Sequence, residues 1–101
     1  MNLGSAIKKV RTDRGISLDQ LSNAIGCDKP YLVNLESNRI NVTTSKYLDK
    51  ICDVLGTPIP MIYLLSLEVE DAPEEKRVEA RIVLDNLNET YLDLFSTKSK
   101  I

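Results

Sequence analysis

Histidine and tryptophan are absent from the 101 residues of the chain, and cysteine occurs only twice. The absence of histidine excludes the common zinc-binding spacings and every catalytic mechanism that uses an imidazole. Cys27 and Cys52 lie far apart among apolar helical positions, a pattern typical of buried thiols in a reducing compartment. Neither a phosphate-cradling glycine loop nor a pair of catalytic carboxylates is recognisable, so the sequence indicates no enzyme, metal site, cofactor or small-molecule ligand.

Long hydrophobic runs are also missing from the sequence. Residues 1–11, MNLGSAIKKVR, contain no apolar stretch of the length that a signal peptide or a membrane anchor needs. We therefore expect a cytoplasmic protein that does not bind membranes.

Charged residues are distributed unevenly along the chain, whose formal net charge is −2. Residues 1–67 carry eight basic and six acidic side chains, whereas residues 68–101 carry five basic and nine acidic ones. Such asymmetry indicates that the two parts meet different partners. We therefore divide the chain into a mildly basic domain, residues 1–67, and an acidic C-terminal region, residues 68–101.

Glycine, proline and capping residues predict five short helices in the basic domain. The first apolar segment with helical spacing ends before Gly15. Ser17 and Gln20 form a capping-box pattern at the start of the second helix, and Gly26 is its predicted left-handed stop.

The remaining three helices of the basic domain follow from the same kinds of signal. Asp28 is expected to cap the third helix, with Pro30 in its first turn. Thr43 or Thr44 is expected to cap the fourth, which Gly56 ends. The segment TPIPMIYLL then begins a short fifth helix with both prolines in the opening turn.

The C-terminal region predicts an acidic linker, LEVEDAPEE, and one long amphipathic helix over about residues 73–95. Asp71 and Glu74 form a further cap pattern at the start of this helix. Its apolar face is made by Ala80, Val83, Leu84, Leu87, Tyr91, Leu94 and Phe95. Residues 96–101 are expected to form a frayed tail.

The segment LDQLSNAIGCDKPYLVNLES, residues 18–37, predicts two helices joined by a sharp turn at Gly26. This spacing fits a helix-turn-helix motif. Corners of this kind also occur in helical bundles that do not bind DNA, so the spacing alone leaves the function open.

Several features together carry a resemblance to a known family. Arg11 stands late in the first helix, GIS at residues 15–17 leads into the second, and LGTPI at residues 55–59 leads into the fifth. Other matching positions are Leu21, Gly26, Leu32, Leu35 and Glu36. Residues 3–65 thus resemble the Xre/Cro/cI family of phage-repressor-like helix-turn-helix domains. The implied fold class is all-α, with a five-helix phage-repressor-like DNA-binding domain followed by one long C-terminal amphipathic helix.

The resemblance also implies that the third helix contacts bases. Such a helix enters the major groove of double-stranded DNA with its N-terminus first, and the base-facing positions are Lys29, Pro30 and Asn34. Lysine suits guanine and asparagine suits adenine. Tyr31 and Val33 are further candidates for contact with a thymine methyl group or a phosphate. The alternative for Lys29 and Asn34 is an ordinary solvated helix face.

Two residues correspond to the family's buried ion pair between the first and third helices, namely Arg11 and Glu36. They are expected to orient the third helix rather than to contact DNA. The expected phosphate contacts come from helix N-termini and from polar side chains around the third helix. They are Ser17, Asn38, Arg39, Asn41, Thr44 and Lys46.

Two positions depart from the family pattern. Leu18 stands where the family often has a glutamine that binds a phosphate, and Pro30 replaces what is often a hydrogen-bonding side chain. Together with Asp28 and Glu36, these departures leave the third helix without net positive charge. We therefore expect low affinity for a single half-site.

The apolar face of the C-terminal helix is too wide to remain in water. Homodimerisation is the preferred explanation, through Val83, Leu84, Leu87, Tyr91, Leu94 and Phe95. The alternative is packing within one chain against the fifth helix. A two-fold dimer would place two recognition helices about 34 Å apart on DNA.

The sequence therefore favours a sequence-specific transcriptional regulator, a repressor that binds a palindromic operator as a homodimer. The alternative is a protein-interaction module with weak or no DNA binding, which sequesters another regulator or acts as an antitoxin. Leu18, Pro30 and the small positive charge favour that alternative.

Overall fold

A computed structural model describes residues 1–95, apart from the side chains of Tyr91, Leu92, Asp93 and Phe95. The described residues form helices joined by short turns, without strands, so the predicted all-α fold is confirmed. The helices are α1 (Leu3–Asp13), α2 (Leu18–Ile25), α3 (Lys29–Glu36), α4 (Leu48–Leu55), α5 (Ile59–Leu65) and α6 (Arg77–Phe95). Short 3-10 turns occupy Val42–Thr44, Val69–Asp71 and Glu74–Lys76. The tail expected at residues 96–101 lies outside the described residues.

The helix-turn-helix segment has the predicted caps. Ser17 Oγ accepts a hydrogen bond from the Gln20 amide at 3.0 Å, and the Ser17 amide donates to Gln20 Oε1 at 2.9 Å. Gly26 ends α2 with a φ of 77°, a left-handed conformation that favours glycine. Asp28 Oδ1 accepts from the Tyr31 amide at 2.9 Å and so caps α3.

The predicted cap of the fourth helix is wrong. Thr43 and Thr44 lie in a 3-10 turn, and α4 begins only at Leu48. Asn41 Oδ1 accepts hydrogen bonds from the amide and the hydroxyl of Thr43, and the Thr44 hydroxyl donates to the Asn41 carbonyl. The threonine hydroxyls thus serve this local turn, and Tyr47 precedes α4 without a side-chain cap.

The long C-terminal helix is present, but its predicted cap is also wrong. Asp71 does not cap it, because its Oδ2 accepts from the Glu68 amide at 2.8 Å within the preceding 3-10 turn. The chain then forms a second 3-10 turn at Glu74–Lys76, and regular α-helix begins at Arg77 rather than near residue 73.

One continuous core lies between the helices. Its largest fully buried side chains come from α1 through α5, and they are Ile7, Leu21, Leu32, Leu35, Ile51, Leu55 and Ile62. Gly4 lets α1 approach the end of α3 closely, since an added Cβ would lie 2.5 Å from the Leu35 carbonyl oxygen and 2.6 Å from that of Glu36. The close approach fixes how α3 sits on the rest of the domain.

α6 packs against α5 and the 3-10 turn at Val69–Asp71. Leu87 is buried against the core, and Leu84 packs there in part. Val83 and Leu94 remain 62% and 66% exposed. Packing within the chain thus uses two of the side chains expected to form a dimer, and those of Tyr91 and Phe95 lie outside the described residues. Among the described helices, none is long and apolar enough to cross a membrane.

Candidate nucleic-acid interface

α3 has one face fixed in the core and one face turned outward. Leu32 and Leu35 are fully buried, and they hold the helix against α1 and α2. Lys29 and Pro30, at the N-terminal end, are exposed, and Val33 in the next turn is 44% exposed. The N-terminal end of α3 is therefore accessible to a partner, and Lys29, Pro30 and Val33 lie on the accessible face, as the sequence predicts.

A buried ion pair attaches the C-terminal end of α3 to α1. Arg11 Nε donates to Glu36 Oε2 at 2.7 Å and Arg11 Nη2 donates to Glu36 Oε1 at 3.0 Å. Arg11 Nη1 donates to the Ile16 carbonyl oxygen at 2.8 Å. Both side chains are less than a tenth exposed. This bidentate pair joins α1, α3 and the segment before α2, because one guanidinium serves all three.

Asn38, an expected phosphate contact, is engaged within the chain. Its φ of 62° is left-handed, a conformation that asparagine tolerates better than most residues. Asn38 Oδ1 accepts from the Gly4 amide at 2.9 Å, and Asn38 Nδ2 donates to Asn2 Oδ1 at 2.6 Å. The side chain therefore ties the turn after α3 to the start of α1. An asparagine two positions after the end of a helix is the sequence signal that points to such a turn.

The residues expected to contact bases differ in whether their side chains already have partners within the chain. Lys29 Nζ lies 3.7 Å from Asp19 Oδ1 in an exposed ion pair, which partly offsets its charge. The half-buried Asn34 carboxamide has no hydrogen-bond partner within residues 1–95, although the Asn34 carbonyl oxygen accepts from the Arg39 amide at 2.9 Å. The Asn34 backbone is thus held in place, while its side chain keeps free donors and acceptors.

Tyr31 supports α3 from the side. Its hydroxyl is hydrogen-bonded to the Ser45 hydroxyl at 2.7 Å. Its ring packs edge-on against Tyr47, with 5.2 Å between centroids and 70° between planes. These contacts brace α3 against the segment before α4.

Two lysines flank the tyrosine pair. Lys46 Nζ lies 5.2 Å from the Tyr47 ring centroid, and Lys50 Nζ lies 5.9 Å from it. Such cation–π contacts hold the ammonium groups near the ring without neutralising them. Lys46 is an expected phosphate contact, whereas sequence reasoning did not include Lys50. The available signal for it was its position four residues after Lys46, in the first turn of α4.

The other expected phosphate contacts lie around α3. Ser17 caps α2, whose first amides have no partner within the helix. Arg39 and Asn41 are exposed and line one shallow depression of about 410 Å³ with Asn38. Leu18, which replaces the family's glutamine, packs against the core.

Neither cysteine provides a reactive group. Burial, followed by the nearby Asp49 charge, raises the pKa of the Cys52 thiol to about 11. Burial also raises the pKa of Cys27, which lies half-buried in the turn between α2 and α3, and the Asp28 charge adds to this effect. Both residues are free thiols, protonated at neutral pH.

Comparison with known families supports the interpretation of this site. The sequence profile of the helix-turn-helix family matches residues 7–62, which is more than half of the chain. No curated protein and no solved structure matches the chain. The matched segment runs from α1 into α5 and includes the whole motif formed by α2 and α3. The chain therefore belongs to the Xre/Cro/cI-type helix-turn-helix family, whose domain is that of DNA-binding transcription regulators.

Proposed function

We propose that the protein is a transcriptional repressor that binds a palindromic operator as a homodimer, with α3 as the recognition helix. The observation that carries the proposal is the two-sided fixation of α3. Leu32 and Leu35 hold it from below, and the Arg11–Glu36 pair holds its end, while its front remains exposed. A helix held in this way enters the major groove without reorganisation, with its N-terminal residues on the base edges.

Three side chains at the front of α3 have the chemistry for base recognition. Asn34 offers a free carboxamide that matches adenine N6 and N7, and Lys29 matches guanine O6 and N7. Val33 suits a thymine methyl group. Pro30 supplies shape rather than hydrogen bonds, and Tyr31 acts as a support because its hydroxyl already binds Ser45.

Phosphate contacts come from cations on either side of α3. Lys46 and Lys50 lie beside Tyr47, and Arg39 follows the helix. The amides of Leu18 and Asp19 stay free in the first turn of α2, beyond the Ser17 cap, and exposed Asn41 and Thr44 add polar groups. A single domain with so few positive charges binds DNA weakly, because the affinity grows with the number of phosphates that the protein neutralises.

A homodimer compensates for this weak half-site binding. Two domains related by a two-fold axis place two recognition helices about 34 Å apart, and the second domain then binds at a high effective concentration. α6 is the element that supplies the contact, because apolar side chains remain exposed along it. Repression follows when the dimer occupies a promoter.

The competing candidate is a protein-interaction module. A groove of about 300 Å³ lies between α6 and the segment before it, lined by Leu67, Ala72, Ala80 and Val83 and bordered by Glu68. Its apolar lining and acidic edge suit an amphipathic helix with basic flanks, by which the chain would sequester another regulator.

Charge-reversal variants test DNA binding without knowledge of the operator. We expect Lys46→Glu and Arg39→Glu each to weaken binding to a random-sequence duplex at low salt, because each replaces a phosphate attraction with a repulsion. Fluorescence anisotropy measures the affinity. The matched control is Lys76→Glu, an exposed lysine in the 3-10 turn before α6.

The control variant separates a specific surface from a general charge effect. Equal losses in all three variants would mean that no particular face binds DNA. The absence of any salt-sensitive binding by the unaltered protein would favour the protein-interaction module instead.

A further inference from the structure

α6 carries two exposed apolar strips on different sides of the helix. Leu87 is buried, and it marks the side that packs on the core. Val83 and Leu94 lie beside this buried side. Val78 and Ile82, one helical turn apart, are 75% and 59% exposed and lie on the outer side, which the sequence interpretation did not include.

Charges around the Val78–Ile82 strip are arranged by sign along the helix. Arg77 and Arg81 of α6 line the cleft that contains the strip, which measures about 430 Å³, and Glu70 of the preceding 3-10 turn lines its other side. Asp85 and Glu89 follow on the same side of α6 at intervals of one turn. Along α6 itself, the N-terminal half of this face therefore carries two arginines and the C-terminal half two carboxylates.

The charged groups that flank this face have few partners in the chain. Arg77 Nε donates to the Ala72 carbonyl oxygen at 3.3 Å. Arg81, Asp85 and Glu89 form no ion pair within residues 1–95. The face thus presents apolar side chains and unpaired charges of both signs to solvent.

We propose that the Val78–Ile82 strip is the contact surface between two copies of this chain, with the two α6 helices antiparallel. This inference rests on the proposed homodimer and identifies its surface. A two-fold axis near residue 83 places Arg81 opposite the partner's Asp85 and Arg77 opposite the partner's Glu89, while the two Ile82 side chains meet at the centre. Parallel helices would instead bring like charges together.

The Val83 strip fits a second copy less well. The groove beside Val83 is bordered by Glu68 and Asp71, which both pair with the Met1 ammonium of the same chain. Glu79, which forms no ion pair within residues 1–95, lies one turn before Val83 on the same side of α6. Two copies joined through this groove would meet with acidic side chains and without an unpaired cation to complement them, which is less favourable. Self-complementarity therefore selects the Val78–Ile82 strip.

Oligomeric state, measured by analytical ultracentrifugation over a range of concentrations, tests the surface. We expect Ile82→Asp to raise the dimer dissociation constant by about tenfold or more, because it removes a buried apolar contact and adds like charges at the two-fold axis. The matched control is Val83→Asp, an adjacent and equally exposed valine, which should leave the dissociation constant unchanged.

A charge swap tests the antiparallel register independently of any loss of apolar surface. Arg81→Glu alone and Asp85→Arg alone should each weaken the dimer, and the two together should restore it, because the paired signs are then exchanged in both copies. Helix content, measured by circular dichroism, should be the same in all variants.

The outcomes distinguish the surface from the dimer. A dimer that resists Ile82→Asp but dissociates with Val83→Asp would overturn the proposed surface and leave the homodimer in place. A failure of the double charge swap to restore association would overturn the antiparallel register. An unaltered chain that stays monomeric up to high concentration would overturn the homodimer itself.

Discussion

At the scale of single residues, Arg11 is the side chain on which the orientation of α3 depends most. Its three donor nitrogens serve Glu36 and the Ile16 carbonyl oxygen, so it joins α1 to two other segments. A lysine has no comparable planar arrangement of donors and would replace only part of this pattern. The pair is almost fully buried, and a buried charge without a partner is costly.

Breaking this pair should strongly destabilise the fold. We expect Arg11→Met to lower the free energy of unfolding by about 3–5 kcal/mol, because the Glu36 carboxylate is left buried without its partner. Urea denaturation measures the change. Lys8→Met, at an exposed position of the same helix, is the control and should stay within about 0.5 kcal/mol of the unaltered chain.

A double variant separates pairing from packing. Arg11→Met combined with Glu36→Leu should be less destabilised than Arg11→Met alone, because no uncompensated charge remains. If Arg11→Met unfolded at nearly the same urea concentration as the control, the pair would have no role in holding α3.

Gly4 offers a second test at this scale. We expect Gly4→Ala to lower the free energy of unfolding by about 1–3 kcal/mol, since the new Cβ would overlap backbone oxygens that cannot move independently. Thermal unfolding measures the change, and Ser5→Ala at the next, exposed position is the control. Equal stability of the two variants would show that α1 and α3 can separate without loss.

At the scale of secondary-structure elements, local signals predicted some helix starts and missed others. The caps at Ser17 and Asp28 could be predicted because both atoms of each hydrogen bond lie within three residues. The starts of α4 and α6 could not, because Thr43 and Asp71 bind other groups. Asp71 also accepts from the Met1 amine, 70 positions away, and no local pattern contains such a partner.

Asp28 combines two effects at the start of α3 that can be separated. It caps the helix, and its negative charge lies at the end that is expected to meet DNA. We expect Asp28→Ala to destabilise the chain by about 1 kcal/mol, because the Tyr31 amide loses its acceptor. Asp28→Ser should keep nearly all the stability, since serine caps about as well.

The effects of these variants on DNA affinity should differ from their effects on stability. Asp28→Ser should bind DNA more tightly than the unaltered chain at low salt, because it removes a repulsion from phosphate and keeps the helix start. Thermal unfolding and a DNA titration on the same samples check both statements. Unchanged DNA binding by Asp28→Ser would mean that this end of α3 points away from DNA.

At the scale of the whole molecule, the five-helix domain followed from the sequence more closely than the placement of α6 did. Periodicity predicted one wide apolar face on α6, but packing divides its side chains. Leu84 and Leu87 turn to the core, whereas Val78 and Ile82 turn outward among charges. The helical periodicity of a sequence gives only the average direction of its apolar side chains. It therefore does not reveal a smaller apolar strip on another side of the helix.

In the candidate site, too, local features could be predicted from the sequence, whereas contacts between distant parts of the chain could not. The positions of Lys29 and Asn34 on α3 follow from the helix register, which is local. The supporting roles of Tyr31 and Asn38 depend on Ser45 and Asn2, which lie 14 and 36 positions away. Contacts of this range exist only in the folded chain, so sequence reasoning assigned both residues to DNA contacts instead.

Selection of bound fragments from random-sequence DNA, with the purified chain at low salt, tests whether α3 recognises an operator. We expect an enriched palindrome whose two half-sites are centred about 10 base pairs apart, because a two-fold dimer presents two copies of α3 on one side of the duplex. Enrichment of no sequence at all, with only weak binding that salt abolishes, would contradict the claim that α3 recognises an operator.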